Sequence, residues 1–148
     1  MLARGDPEAG RRVFFDQRVG CSKCHSIAGR GGRIGPNLSN IAAAKTRDQI
    51  QSSILNPSQE KSPDYQGYIV RMNDGRIYRG TQFHFRGESA ELLLDSGQQV
   101  RFALRDTDEY RALDESLMPE RLEETVSVSE LRDLIDYLGT LRPPPATR

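Results

Sequence analysis

Hydrophobic positions follow a helical spacing at both ends of the chain and a two-residue alternation in the middle. Near the N-terminus, "GDPEAGRRVFFDQ" predicts a short helix. Asp6 can cap it, Pro7 suits its first position, and Glu8 favours the positive end of its dipole. Gly10, Val13 and Phe14 then share one face, with Gly10 leaving room for another helix to come close. "TRDQIQSSILNP" predicts a second helix: Thr46 and Gln49 form a capping box, Ile50 and Ile54 share a face, and Asn56-Pro57 ends it. Ser127 and Glu130 form another capping box ahead of a Leu131, Leu134, Ile135, Leu138 stripe. "RPPPATR" closes that helix and predicts a mobile tail.

The period changes at about Pro63. "YQGYIVRMNDGRIYRGTQFHF" alternates, turns at Asn73-Asp74-Gly75, and alternates again. "AELLLDSGQQVRFALRD" repeats the device around Asp95-Ser96-Gly97, so four or five short antiparallel strands are expected. Residues 62–111 carry no clear helical signal, and "GRGGRIGPNL", Gly29 to Leu38, reads as a glycine-rich loop. The whole is a helical domain interrupted by a small sheet or barrel.

Composition narrows the function classes. Lysine plus arginine equals aspartate plus glutamate at 21 each, which gives no footprint for nucleic acid or an anionic membrane. No apolar run approaches the roughly 20 residues that span a bilayer. Hydrophobic residues are only 36% of the 148 and mean hydropathy is −0.65, lean for a chain that must bury a core. "MLARGDPEAG" lacks the apolar stretch of a secretory signal, so the chain reads as a mature or trimmed form, or as the C-terminal domain of something larger.

The chemistry is concentrated in "VGCSKCHSIAG", which holds both cysteines and one of two histidines. C-x-x-C-H is the attachment signature of c-type haem. Two thiols about one helical turn apart meet the two vinyl groups on one porphyrin edge, and the next residue, His25, is held beneath the iron. A Cys21–Cys24 disulfide would close too small a loop to stabilise much. A thioredoxin-type pair expects a preceding strand and a βαβ context. A zinc site needs four ligands, and outside this stretch only His84 offers another soft donor.

For the opposite side of an iron, the chain offers three methionines and His84. Met1 is terminal, and Met72 alternates with Tyr68 and Val70, which reads as sheet packing. His84 lies between Phe83 and Phe85 and points to solvent if the rings point inward. Met118 precedes a proline, which favours extended backbone and lets its thioether be aimed; the plain alternative is a loop methionine filling a core gap.

Cys21-Ser22-Lys23-Cys24-His25, then Gly35-Pro36-Asn37-Leu38, then Met118-Pro119 ahead of the last helix, resemble a class I cytochrome c. Gly10 and Phe14 with Leu134 and Tyr137 resemble that family's crossing of terminal helices. The likeness spans about residues 6–57 and 117–141. More narrowly, the chain is similar to the CxxCH-type haem-binding domain often appended to bacterial membrane-bound dehydrogenase-like proteins, which also carry a β segment before the methionine.

The resemblance implies a mainly α cytochrome c fold, α+β overall, with a small antiparallel β insertion between the haem motif and the axial methionine. The cytochrome domain would be discontinuous, residues 1–62 and 113–148, and the insertion residues 63–112. One haem c would be covalent through Cys21 and Cys24, with His25 and Met118 as the metal ligands. The Pro36 carbonyl would accept from His25 Nδ1, and Leu38 would pack on the haem face. Many relatives place a tryptophan near a propionate; this chain has none, leaving Arg33 and Tyr65 as candidates.

The expected activity is one-electron transfer to or from a redox partner protein, a dehydrogenase or terminal acceptor, not catalysis of a substrate. A haem enzyme or gas sensor with a displaceable sixth ligand is the second reading, and it needs distal polar groups. A third makes the β segment an interaction module, whose free edge suits a second chain or a homodimer. Attachment to CxxCH implies a periplasmic or otherwise extracytoplasmic site.

Overall fold

The computed structural model describes residues 3–59 and 62–147. Five helices form one part: α1 (Pro7–Phe15), α2 (Cys21–Cys24), α3 (Ile41–Ala44), α4 (Arg47–Leu55) and α5 (Val128–Leu138). Two dipeptide strands, β1 (Ser26–Ile27) and β2 (Arg30–Gly31), pair just after α2. Between α4 and α5 lie β3 (Tyr68–Met72), β4 (Ile77–Arg86), β5 (Ser89–Leu94), β6 (Gln99–Ala103) and β7 (Thr107–Ala112). Helix accounts for 32% and strand for 25%, so the α+β description fits and the strand share is greater than a mainly α domain has.

Local sequence sets the helix ends as expected. The Asp6 side chain accepts from the Glu8 N–H, and both capping boxes, Thr46 with Gln49 and Ser127 with Glu130, are formed. The terminal helices α1 and α5 cross where Gly10 meets Asp133. A Cβ on Gly10 would lie 1.9 Å from the Asp133 carbonyl oxygen, so only glycine permits this approach. Around the crossing, Phe14 and Ile135 are fully buried, with Val13, Leu131, Leu134, Tyr137 and Leu138 close behind. Phe14 meets the Tyr137 ring edge-on at 6.3 Å. Asp136 on α5 pairs with Arg47 on α4 at 2.7 Å and accepts from the Gly5 N–H, tying both helices to the N-terminal segment.

The five-stranded sheet has the order β6-β5-β4-β3-β7, all antiparallel. The last two strands in sequence are therefore opposite edges, joined by a single 3₁₀ turn at Leu104–Asp106. That requires a strongly curled sheet. Phe102 on β6 and Tyr110 on β7 both reach the Phe83 ring, at 6.2 and 5.3 Å. The hollow is filled by Val70, Met72 and Leu92, all buried. The sheet begins and ends at one place, where the Leu113 N–H donates to Gly67 and Gln66 Nε2 donates to the Leu113 carbonyl.

One feature escapes a period-two reading. The β4–β5 register shifts between Thr81 and His84, and Gln82 takes a left-handed backbone, φ 52°. This bulge inserts one residue and reverses the alternation beyond it. Without it, Phe83 would face away from Tyr78. With it, both rings lie near Phe102 on the inner face. His84 is exposed as expected, whereas Phe85, although on the inner face, is 53% exposed at the end of its strand.

Candidate functional site

The segment from Val19 to Pro36 wraps on itself. Helix α2 is a single turn, so Cys21 and Cys24 sit at its two ends, with His25 as its C-terminal cap in extended conformation. The Gly35 N–H donates to the Cys24 carbonyl and the Gly32 N–H to that of Ser22, pressing the glycine-rich loop against the motif. Part of this loop, expected to be irregular throughout, forms the β1–β2 ladder.

The loop positions the histidine. His25 Nδ1 lies 2.8 Å from the Pro36 carbonyl oxygen, which can only accept, so Nδ1 carries the proton. Nε2 has no hydrogen-bond partner among the described residues. Burial lowers the imidazole pKa and the Pro36 contact raises it; burial wins, which favours the neutral, ligating form. The ring lies so near the loop that a Cβ on Gly35 would come within 2.7 Å of its Cε1.

His25 opens onto a narrow apolar cleft. Cys21, His25, Leu38 and Met118 all line it, along with side chains of the crossing helices, among them Phe14, Leu131, Leu134 and Leu138. Leu122 and Val126, from the segment between Met118 and α5, complete the wall. Met118 is held by its own N–H, which donates to Ser116 Oγ, while the Ser116 N–H donates to Ser58 Oγ beyond α4. Arg18 joins the two lips: its guanidinium donates to the Thr125 carbonyl and to Glu130, each at 2.7 Å.

The thiols are not bonded to each other. Burial pushes Cys21 up to about 11, and burial together with Asp95 raises Cys24. Neutral, partly covered thiols are poor redox nucleophiles, which weighs against a thioredoxin-type pair. Among the described residues no group of three or more histidine, cysteine or acidic side chains is placed to hold a metal ion.

Several expected residues lie elsewhere. Met72 is buried in the sheet, and Met1 lies outside the described residues. Neither Arg33 nor Tyr65 lines the cleft. Arg33 instead joins the sheet to the loop, its guanidinium donating to Gln99 and its carbonyl accepting from Gln82. Sequence reading gave no hint of this contact, because it depends on the bulge that turns Gln82 towards the loop.

An apolar cleft lined by one imidazole, a cysteine and a thioether suits an apolar group that carries a metal. It does not suit a polar substrate. The family model described as Cytochrome c matches residues 7–83, just over half of the chain, and the chain belongs to the cytochrome c family. It is a c-type cytochrome, an electron carrier of a family whose cofactor is covalent haem c. The match contains Cys21, Cys24, His25, Pro36 and Leu38 and ends within β4, short of Met118 and α5. No curated protein matches the chain. Among the described residues, no helix is long and apolar enough to cross a membrane.

Proposed function

We propose that Cys21 and Cys24 would hold one haem c covalently, that His25 and Met118 would supply the ligands to its iron, and that the chain passes single electrons between partner proteins. The observation that carries this reading is one cleft lined together by Cys21, His25 and Met118. Bound haem supplies a one-electron iron couple. The chain's residues do the rest. Pro36 orients the imidazole and raises its basicity by accepting from Nδ1. Leu38 and the crossing helices exclude water, and a dry site disfavours the more charged oxidised form. A histidine–methionine pair raises the potential further.

The residues lining the cleft include no polar side chain other than His25, and His84 is on the sheet. A sensor or enzyme needs a distal hydrogen-bond donor, so the carrier is favoured. In matured protein, Met118→Ala should abolish the long-wavelength ferric band of sulfur–iron ligation and open the iron to cyanide. Retention of that band would remove Met118 from the proposal.

The finer role is that of a domain serving a dehydrogenase-like protein outside the cytoplasm, with residues 63–112 inserted into a cytochrome domain made of 1–62 and 113–148. The juxtaposed Gly67 and Leu113 support the insertion, since a module whose ends meet can be added to a loop. Gln82 and Gln99 support a covering role for it, because both touch the loop that orients His25.

A further inference from the structure

Among the described residues, strand β7 is an edge of the sheet, paired on one side only, with β3. The Leu113 N–H donates to Gly67, and the same register pairs Ile69 with Arg111 and Arg71 with Glu109. Hydrogen bonds in an antiparallel ladder recur at every second residue, so Glu109 and Arg111 bond inward to β3. The backbone groups of Tyr110 and Ala112 therefore point outward, away from β3, while the register shift opposite Arg71 and Met72 makes Asp108 a bulged residue. Residues 108–112 are all exposed, and Tyr110 is 47% exposed beside Phe85, whose ring centroid is 5.7 Å away.

We propose that this edge pairs with β7 of a second copy, antiparallel across a two-fold axis through Tyr110. The register follows from two constraints. Outward-facing residues must oppose outward-facing residues, which permits Tyr110 opposite Tyr110 or Ala112 of the second copy. The latter sets Arg111 against Arg111; like charges directly opposite are destabilising. Only Tyr110 against Tyr110 sets each Glu109 against an Arg111, twice by symmetry. Glu109 then lies between its own Arg71, 3.0 Å away, and Arg111 of the second copy. On the other face, the Tyr110 and Phe85 rings of the two copies meet and cover each other. This pairing does not depend on the haem assignment.

The test uses two single variants, Glu109→Arg and Arg111→Glu, whose exposed positions lie outside the core and the cleft. Sedimentation equilibrium of the unaltered chain up to about 1 mM should show a monomer–dimer equilibrium, as suits a small interface. Each variant alone should dimerise at least about tenfold more weakly. Mixed in equal amounts they should associate again, because the mixed pair restores both opposite-charge contacts. Hydrogen exchange gives a second readout on the unaltered chain: the Tyr110 amide should lose protection on dilution, whereas the inward-bonded Arg111 amide should not. A monomer at all concentrations, variants that dimerise as well as the parent, folded variants that fail to associate when mixed, or a concentration-independent Tyr110 amide would each overturn the proposal.

Discussion

Replacing Gly35 by alanine drives a methyl group into the His25 ring. The added carbon would lie 2.7 Å from Cε1 and 2.9 Å from Nδ1. Relaxed carbon atoms sit roughly 3.5 Å apart, so the ring must retreat by about 0.8 Å. It is half-buried, and its one hydrogen bond, 2.8 Å to the Pro36 carbonyl, cannot stretch that far and survive. Losing that half-buried hydrogen bond costs about 1 kcal/mol, which the haem-free protein should lose in a denaturant melt. In the matured protein, an imidazole without its acceptor is a weaker donor and stabilises the oxidised iron less. A difference of about 1 kcal/mol between oxidation states is about 40 mV for one electron, so spectroelectrochemical titration should find the potential raised by that order. A potential and melt identical to the parent's would show that the loop does not hold the imidazole as described.

Other substitutions probe the frame around the cleft. Gly10→Ala forces α1 from α5 against backbone atoms, and should cost about 2–3 kcal/mol by denaturant melt despite alanine's better helix propensity; no loss would refute the close crossing. Arg47→Ala should cost about 1.5–3 kcal/mol by the same melt. Burial acts to raise the Asp136 pKa, but hydrogen bonds from Arg47 and the Gly5 N–H outweigh it and hold the carboxyl below its ordinary value. The stability this gives is therefore present above about pH 4, the unfolded value, and is lost as pH falls towards the native one. An acid titration of Arg47→Ala should show a weaker fall over that window, and an unchanged slope would count against the pair. At the bulge, Gln82→Gly should melt close to the parent because relief of the left-handed backbone offsets the lost contact to Arg33. Gln82→Val should cost about 1–2 kcal/mol, and equal melts would deny the strain.

Much of this was legible where the cause is local. The capping residues Asp6, Thr46 and Ser127 act on their own helices, and the turns at Gly75 and Gly97 need a left-handed residue at a fixed place. The CxxCH spacing is itself the chemistry, so Cys21, Cys24 and His25 stand out without a fold. The unread parts arise from distant packing. Helix α3 is only four residues and has no side-chain cap. The turn at Gly87 lacks an asparagine or aspartate beside the glycine, so no turn signal marks it. The bulge at Gln82 answers to both the sheet's curl and the loop at Arg33, and no period along one strand can signal it. Met118 lies between these cases: its proline neighbour narrows the backbone open to it, while its place in the cleft depends on Ser116 and Ser58.

The most direct test of the account is the intact mass of protein made with a cytochrome c maturation system, with thiol alkylation and a pyridine haemochrome spectrum on the same sample. One covalently added haem, with neither Cys21 nor Cys24 open to alkylation, is the expected result. Colourless protein of unmodified mass, with both thiols alkylated, would contradict it.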